Sequence, residues 1–140
     1  MGEECIFCRI VRDRSLAPYW LAESDRALAF LDIHPIRTGH TLVIPKAHAL
    51  DLASVTRDDW GAVAELTARV QKILRRTLGA TGENLFVASG PGSEQSVFHL
   101  HVHVVPRRVD DDLHWSDWWA TKVVTPPTEE LVALARRIRG

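Results

Sequence analysis

With 140 residues the chain is expected to form one domain, long enough to bury a core of its own. Its 17 basic and 18 acidic residues leave a net charge of -1, which excludes the broad electrostatic footprint of a nucleic-acid or membrane-surface binder, although a small anion needs only local donors. Met1-Gly-Glu-Glu carries neither a basic n-region nor an apolar h-region, and no run of about 18 apolar residues follows, so a soluble cytoplasmic protein is expected.

Taken in order, residues 5–13 place Ile6, Ile10 and Phe7 on one side of a short helix, with Cys5 and Cys8 on the adjoining side. Two cysteines three apart in a reducing compartment suit metal binding or redox chemistry better than a structural bridge. Residues 15–18 read as a loop. Residues 19–23 and 26–32 read as two strands around the polar pair Ser24-Asp25, which suits a hairpin turn. Pro35 and Gly39 make residues 33–40 a loop, and a third strand over 41–44 ends at Pro45, with His48 just past it.

The clearest helix is 56–79. Thr56 caps it, Asp58 and Asp59 suit its positive end, and Trp60, Val63, Leu66, Val70, Leu74 and Leu78 fall on one face before Gly79 stops it. A fourth strand is expected over 84–88. The loop Ser89-Gly90-Pro91-Gly92-Ser93 then offers backbone N–H groups to an anion. After Val109 the chain turns acidic, passes Trp115, Trp118 and Trp119, which are expected to pack against the chain's own helix, and ends in a helix starting at Thr128. Strands joined by short loops, with one long helix packed across them and a short helix at the N-terminus, predict an α+β domain on a largely antiparallel sheet. Residues 1–108 would form that domain, and 109–140 a C-terminal extension packed on it.

The chemistry concentrates in Gln95-Ser-Val-Phe-His-Leu-His-Val-His-Val-Val-Pro-Arg107. On a strand, His99, His101 and His103 share one face, about 6.6 Å between neighbours, while Leu100, Val102 and Val104 share the other. Such a face suits metal ligation or covalent attack by an imidazole nitrogen on phosphorus. Three of the chain's seven histidines in five residues at one parity is a poor fit to chance.

This run resembles the signature of the histidine triad nucleotide-binding family. The segments Cys5-Ile-Phe-Cys-Arg-Ile10, Ala29-Phe-Leu-Asp-Ile33 and Val43-Ile-Pro-Lys-Ala-His48 also match, in the family's order, over roughly residues 4–108. The resemblance implies a homodimer with a continuous sheet and a purine nucleotide substrate. It implies that His101 is the nucleophile attacking the α-phosphorus, that His103 binds the phosphate oxygens, that Ser96 donates to the leaving group, and that His99 completes the catalytic row. Asp32 would receive the ribose hydroxyls, inside an apolar wall of Ile6, Phe7, Ile10, Phe30, Leu31 and Ile33. Ser89 and Gln95 join the expected nucleotide contacts, Ser89 because Ala88 stands where many relatives carry asparagine.

The resemblance also implies a structural Cys₂His₂ zinc site from Cys5, Cys8, His48 and His99, and no organic cofactor. The Pro-Arg exit looks like the dinucleoside-polyphosphate branch, and the Cys-x-x-Cys start looks like bacterial relatives of broad specificity. Hydrolysis of a nucleoside phosphoramidate or a dinucleoside polyphosphate is therefore expected. The alternatives are a nucleotide-binding module with little activity, a metallohydrolase built on the three histidines, and a thiol oxidoreductase.

Overall fold

The computed structural model describes residues 5–140; residues 1–4, on which the reading of the N-terminus rests, lie outside the described part. After Val109 the chain divides into a large unit and a small one, Asp110–Gly140. The large unit is α+β, as expected. Five antiparallel strands, β1 (Trp20–Glu23), β2 (Ala27–Leu31), β3 (Thr41–Pro45), β4 (Gly82–Phe86) and β5 (Val102–Arg107), lie in the order β1-β2-β3-β5-β4. Helix α1 (Ile6–Arg12) covers one face and α2 (Arg57–Leu78) the other.

Both faces of the central strands are buried, which explains why β2 and β3 read as unbroken apolar runs rather than alternating ones. The period of two survives in residue size. Ala27, Ala29 and Val43 face α2 with its Val63, Leu66, Val70 and Leu74, and their small side chains let the long helix lie close. Leu28, Phe30, Leu42 and Ile44 face Phe7 and Ile10 of α1. The β1–β2 turn closes at Ser24, whose backbone N–H donates to the Ala27 carbonyl at 2.9 Å while its hydroxyl accepts from Ala27 N–H.

Local signals set the ends of α2. The Thr56 hydroxyl accepts from Asp59 N–H at 3.1 Å, and Gly79 stops the helix at φ +66, its N–H donating to the Arg75 carbonyl. Of residues 15–18, expected as a loop, Ser15 and Leu16 belong to a 3₁₀ turn, Arg14–Leu16, capped by the Asp13 side chain. Gly39 sits at φ +90 against Leu78 and Pro106, a backbone conformation that L side chains resist.

Two strand expectations need correction. The fourth strand starts at Gly82 and stops at Phe86, two residues earlier at each end, because it is an edge strand whose limits are set by pairing with β5. The histidine strand begins only at Val102, so of the three histidines just His103 lies in the ladder. Pairing with β3 runs from Thr41↔Val104 to Val43↔Val102 and ends there. Beyond it Pro45 has no N–H to offer, its carbonyl accepts from the His99 side chain, and Leu100 N–H donates to the Ala49 carbonyl instead. The alternation of faces persists without the ladder: Leu100 and Val104 are fully buried on one side, His99 and His101 on the other against Phe7.

The small unit holds α3 (Trp115–Ala120) and α4 (Thr128–Arg139). Helix α4 was expected; α3, which carries the tryptophans, was not. Trp118 and Trp119 meet edge to face and stay largely exposed. Glu129 and Glu130 in the first turn of α4, and Arg136, Arg137 and Arg139 in its last, complement the helix dipole. Among the described residues no helix is long and apolar enough to cross a membrane.

Candidate functional site

Three groups of side chains meet where α1, the end of β3 and the segment before β5 come together. The first is Cys5, Cys8, His48 and His99, whose ligand atoms all lie within 4.8 Å of one another. Cys5 is the N-cap of α1 and its sulfur accepts from Cys8 N–H, so one helix start aims both thiols. His99 donates its Nε2–H to the Pro45 carbonyl at 2.7 Å; its Nδ1, without a hydrogen in the neutral ring, faces Cys5 Sγ at 3.4 Å and Cys8 Sγ at 3.5 Å. His48 Nδ1 lies 3.2 Å from Cys8 Sγ and 3.3 Å from His99 Nδ1.

Tetrahedral zinc with ordinary Zn–N and Zn–S bonds separates its ligand atoms by about 3.3–3.8 Å, so this donor set fits a zinc ion. Burial pushes the His99 imidazole down to about 4, and burial, then the Cys5 sulfur, push the Cys8 thiol up to about 11. The neutral imidazole is what a metal requires. A divalent cation among the four side chains would draw the thiol back to thiolate.

The second group is His101 alone. Its Nδ1–H donates to the His99 carbonyl at 2.8 Å, which fixes the tautomer and leaves Nε2 with the lone pair in the neutral ring. Phe7 packs its ring against the imidazole edge to face at 5.4 Å and holds it in place.

The third group is Asp32, His40 and His103. Ile36 N–H donates to His40 Nδ1, so the hydrogen of the neutral His40 ring sits on Nε2 and points to His103 Nδ1, 2.9 Å away. That makes the Nε2–H of His103 the outward donor. The Asp32 carboxyl lies 3.5 Å from His40 Nε2 and 3.9 Å from His103 Nδ1, while its other oxygen accepts from His34 N–H. Burial lowers the His40 imidazole and carries His103 down to about 4; the neighbouring His101 and His40 add to the second shift, against Asp32.

A pocket of about 230 Å³ opens onto the second and third of these groups. Ile6, Phe7, Ile10, Phe30, Leu31 and Ile33, the expected apolar wall, all line it. So do Asp32, Ser96, His101 and His103. His99 faces away, into the thiol cluster. Gln95 and Ser89 are not among the lining residues. The Gln95 amide is spent on the Leu50 and Val97 carbonyls and on Gly90 N–H, and the Ser89 hydroxyl accepts from Leu52 N–H. The glycine-rich loop is thus braced from within, and its N–H groups are less available than expected, since Ser93 N–H also turns back to the Gly90 carbonyl.

Sequence reasoning missed His40. Its signal lay in the β2–β3 hairpin: Leu31 pairs with Thr41, so the residues just beyond, Asp32 and His40, must face each other across the loop neck. A larger hollow, about 510 Å³, lies between α2 and β4, lined by Trp60, Ala64, Ala68, Leu85 and Phe86. Among its polar members Gln71 and Glu83 bond to each other at 2.7 Å and the Thr67 hydroxyl donates to the Val63 carbonyl, so these groups are engaged within the fold.

Residues 19–110 match the HIT domain, and the chain belongs to that family. It is 43% identical over 103 residues to a HIT-like protein of Mycoplasma genitalium described as uncharacterized, covering 74% of this chain and 72% of that one. It is 33% identical to the adenosine 5'-monophosphoramidase hnt1 of Schizosaccharomyces pombe over 96% of this chain and 95% of that one. Among solved structures, a Zn-bound histidine triad family protein from Mycobacterium smegmatis superposes with a TM-score of 0.74 at 38% identity, covering 82% of this chain and 83% of its own.

Proposed function

We propose that this chain hydrolyses nucleotides at the α-phosphate, acting on a nucleoside phosphoramidate or a dinucleoside polyphosphate through a covalent intermediate on His101. The observation that carries this reading is the 2.8 Å bond from His101 Nδ1–H to the His99 carbonyl, which commits the other nitrogen to attack in a pocket with an apolar wall and a carboxyl at its rim. The His101 Nε2 lone pair forms a bond to the α-phosphorus as the bond to the leaving group breaks, the electron pair going to that group, which departs as phosphate or, having taken up a proton from solvent, as the amine. Ser96 donates a hydrogen bond to that leaving group, and His103 Nε2–H holds a phosphoryl oxygen. Water then attacks the same phosphorus and gives up a proton to solvent, the bond from phosphorus to Nε2 breaks with its electron pair returning to His101, and a nucleoside monophosphate departs.

The base would lie among Phe7, Ile10 and Phe30, with the ribose hydroxyls on Asp32. Cys5, Cys8, His48 and His99 would hold a structural zinc ion, which ties α1 to the segment carrying the nucleophile. The exposed edge of β4 and the apolar hollow beside it support a second copy joining there.

The deciding experiment measures AMP release from adenosine 5'-phosphoramidate and from a diadenosine polyphosphate side by side, with acid-quenched protein examined for bound nucleotide. Turnover with a labelled protein species supports the reading, and the faster substrate assigns the branch. Nucleotide binding without turnover of either replaces it with a binding module. Replacing Asp32 with asparagine puts an N–H₂ where the ribose meets an acceptor. KM is expected to rise about tenfold with kcat nearly unchanged, the cost of one hydrogen bond to a charged group.

A further inference from the structure

We propose that Phe86, the last residue of the edge strand β4, is a positioning residue for His103, its ring fixing the plane in which the imidazole faces the pocket. The two residues are partners across the β4–β5 ladder, so their side chains rise from the same face of the sheet. Their rings stack with centroids 4.6 Å apart and planes within 10° of parallel. The other ring neighbours of His103 meet it at steep angles: His40 at 51° and His101 at 64°.

The bond from His40 reaches His103 at Nδ1, in the ring plane. One in-plane bond is a pivot, about which an imidazole can still tilt. A flat ring laid on its face removes that freedom. Phe86 is 43% exposed on the β4 edge proposed above for a second copy, and the face of its ring not turned to that edge is laid on His103.

The stack also keeps water from one face of His103. The charged and titratable groups facing this ring are Asp32, His40 and His101, of which only Asp32 favours the protonated form. A neutral His103 presents one N–H to substrate and sets no second positive charge beside the nucleophile, 5.0 Å away between ring centroids. Phe86 therefore acts through His103 on both orientation and charge.

The inference rests on the hydrolase reading for its kinetic arm alone. The test uses zinc-loaded protein, wild type and Phe86→Ala, Phe86→Leu and Phe86→Tyr, compared in the same oligomeric state by gel filtration. The His103 ring is followed by NMR as pH is lowered. In wild type it should titrate near 4; in Phe86→Ala the midpoint should climb by a unit or more, towards the ordinary value of about 6.5. Phe86→Tyr, which keeps the flat ring, should restore the wild-type midpoint, and Phe86→Leu, which covers without stacking, should fall between.

In AMP release, Phe86→Ala is expected to lower kcat by about ten- to a hundredfold with KM within about twofold, since misplacement of a phosphate-holding group is felt after binding. An unchanged His103 midpoint in Phe86→Ala overturns the proposal, whatever happens to kcat. So does a Phe86→Tyr variant that behaves like Phe86→Ala. If wild type releases no AMP, the hydrolase reading falls, and the NMR titration still decides the role of Phe86.

Discussion

His101→Ala is expected to abolish release of nucleoside monophosphate, by about ten-thousandfold or more, while nucleotide affinity changes by no more than a few-fold. The size follows from the division of labour in the pocket. On the proposed reading Asp32 and the walls contributed by α1 and β2 would hold the nucleotide, and the substitution leaves them untouched. His103, Ser96 and the charge arrangement would remain to stabilise the phosphoryl group, but the group proposed to bond to phosphorus would be gone. Alanine also removes a buried ring, its edge-to-face contact with Phe7 and its bond to the His99 carbonyl, so the melting temperature is read beside the activity to confirm a folded variant. The check is AMP release under saturating substrate together with equilibrium binding of AMP. A variant that keeps even a tenth of wild-type turnover removes His101 from the covalent role.

Stripping zinc should act on the whole domain, and slowly. The four candidate ligands come from the start of α1, the turn after β3 and the segment before β5, so one ion would clamp three stretches far apart in sequence. A ligand bound to the folded state at a thousandfold above its dissociation constant contributes about 4 kcal/mol. For a chain of this size that corresponds to roughly 10–15 °C in Tm. We expect prolonged chelation, or Cys8→Ser, to lower Tm by that amount, read by calorimetry beside the metal content. With four protein ligands the ion would have no open position for water, so loss of activity should follow the loss of structure in time. Instant inhibition by a chelator at unchanged Tm would point to a catalytic metal on the histidine face.

Local features were legible in the sequence because local physics decides them. Thr56 and Gly79 mark α2 to within a residue, since each end closes with bonds inside four positions. The histidine alternation gave the correct two faces, even though the ladder stops at Val102, because extended backbone turns side chains over with or without a partner strand. What failed depends on contacts across the chain. The limits of β4 are set by β5, and His40 meets His103 across 63 positions, with nothing beside it in sequence to announce the pairing. The bonds that Gln95 makes to Gly90 and Leu50, and the one that Ser89 accepts from Leu52, likewise appear only in the folded loop. The grouping of Cys5 and Cys8 with His48 and His99 came from family resemblance, because spacing cannot say which distant imidazoles converge.

His99 serves both groups at once: its ring belongs to the thiol cluster and its carbonyl accepts from His101, the proposed nucleophile. Injury to either sulfur therefore reaches His101 through a single residue. Alkylating agents, mercurials and peroxides, which attack thiols, would silence an activity in which no thiol touches substrate. In a survey with cysteine-directed inhibitors the protein would pass for a cysteine hydrolase. The distinction lies in timing: a catalytic thiolate is protected by substrate, whereas thiols behind the pocket are protected by the metal.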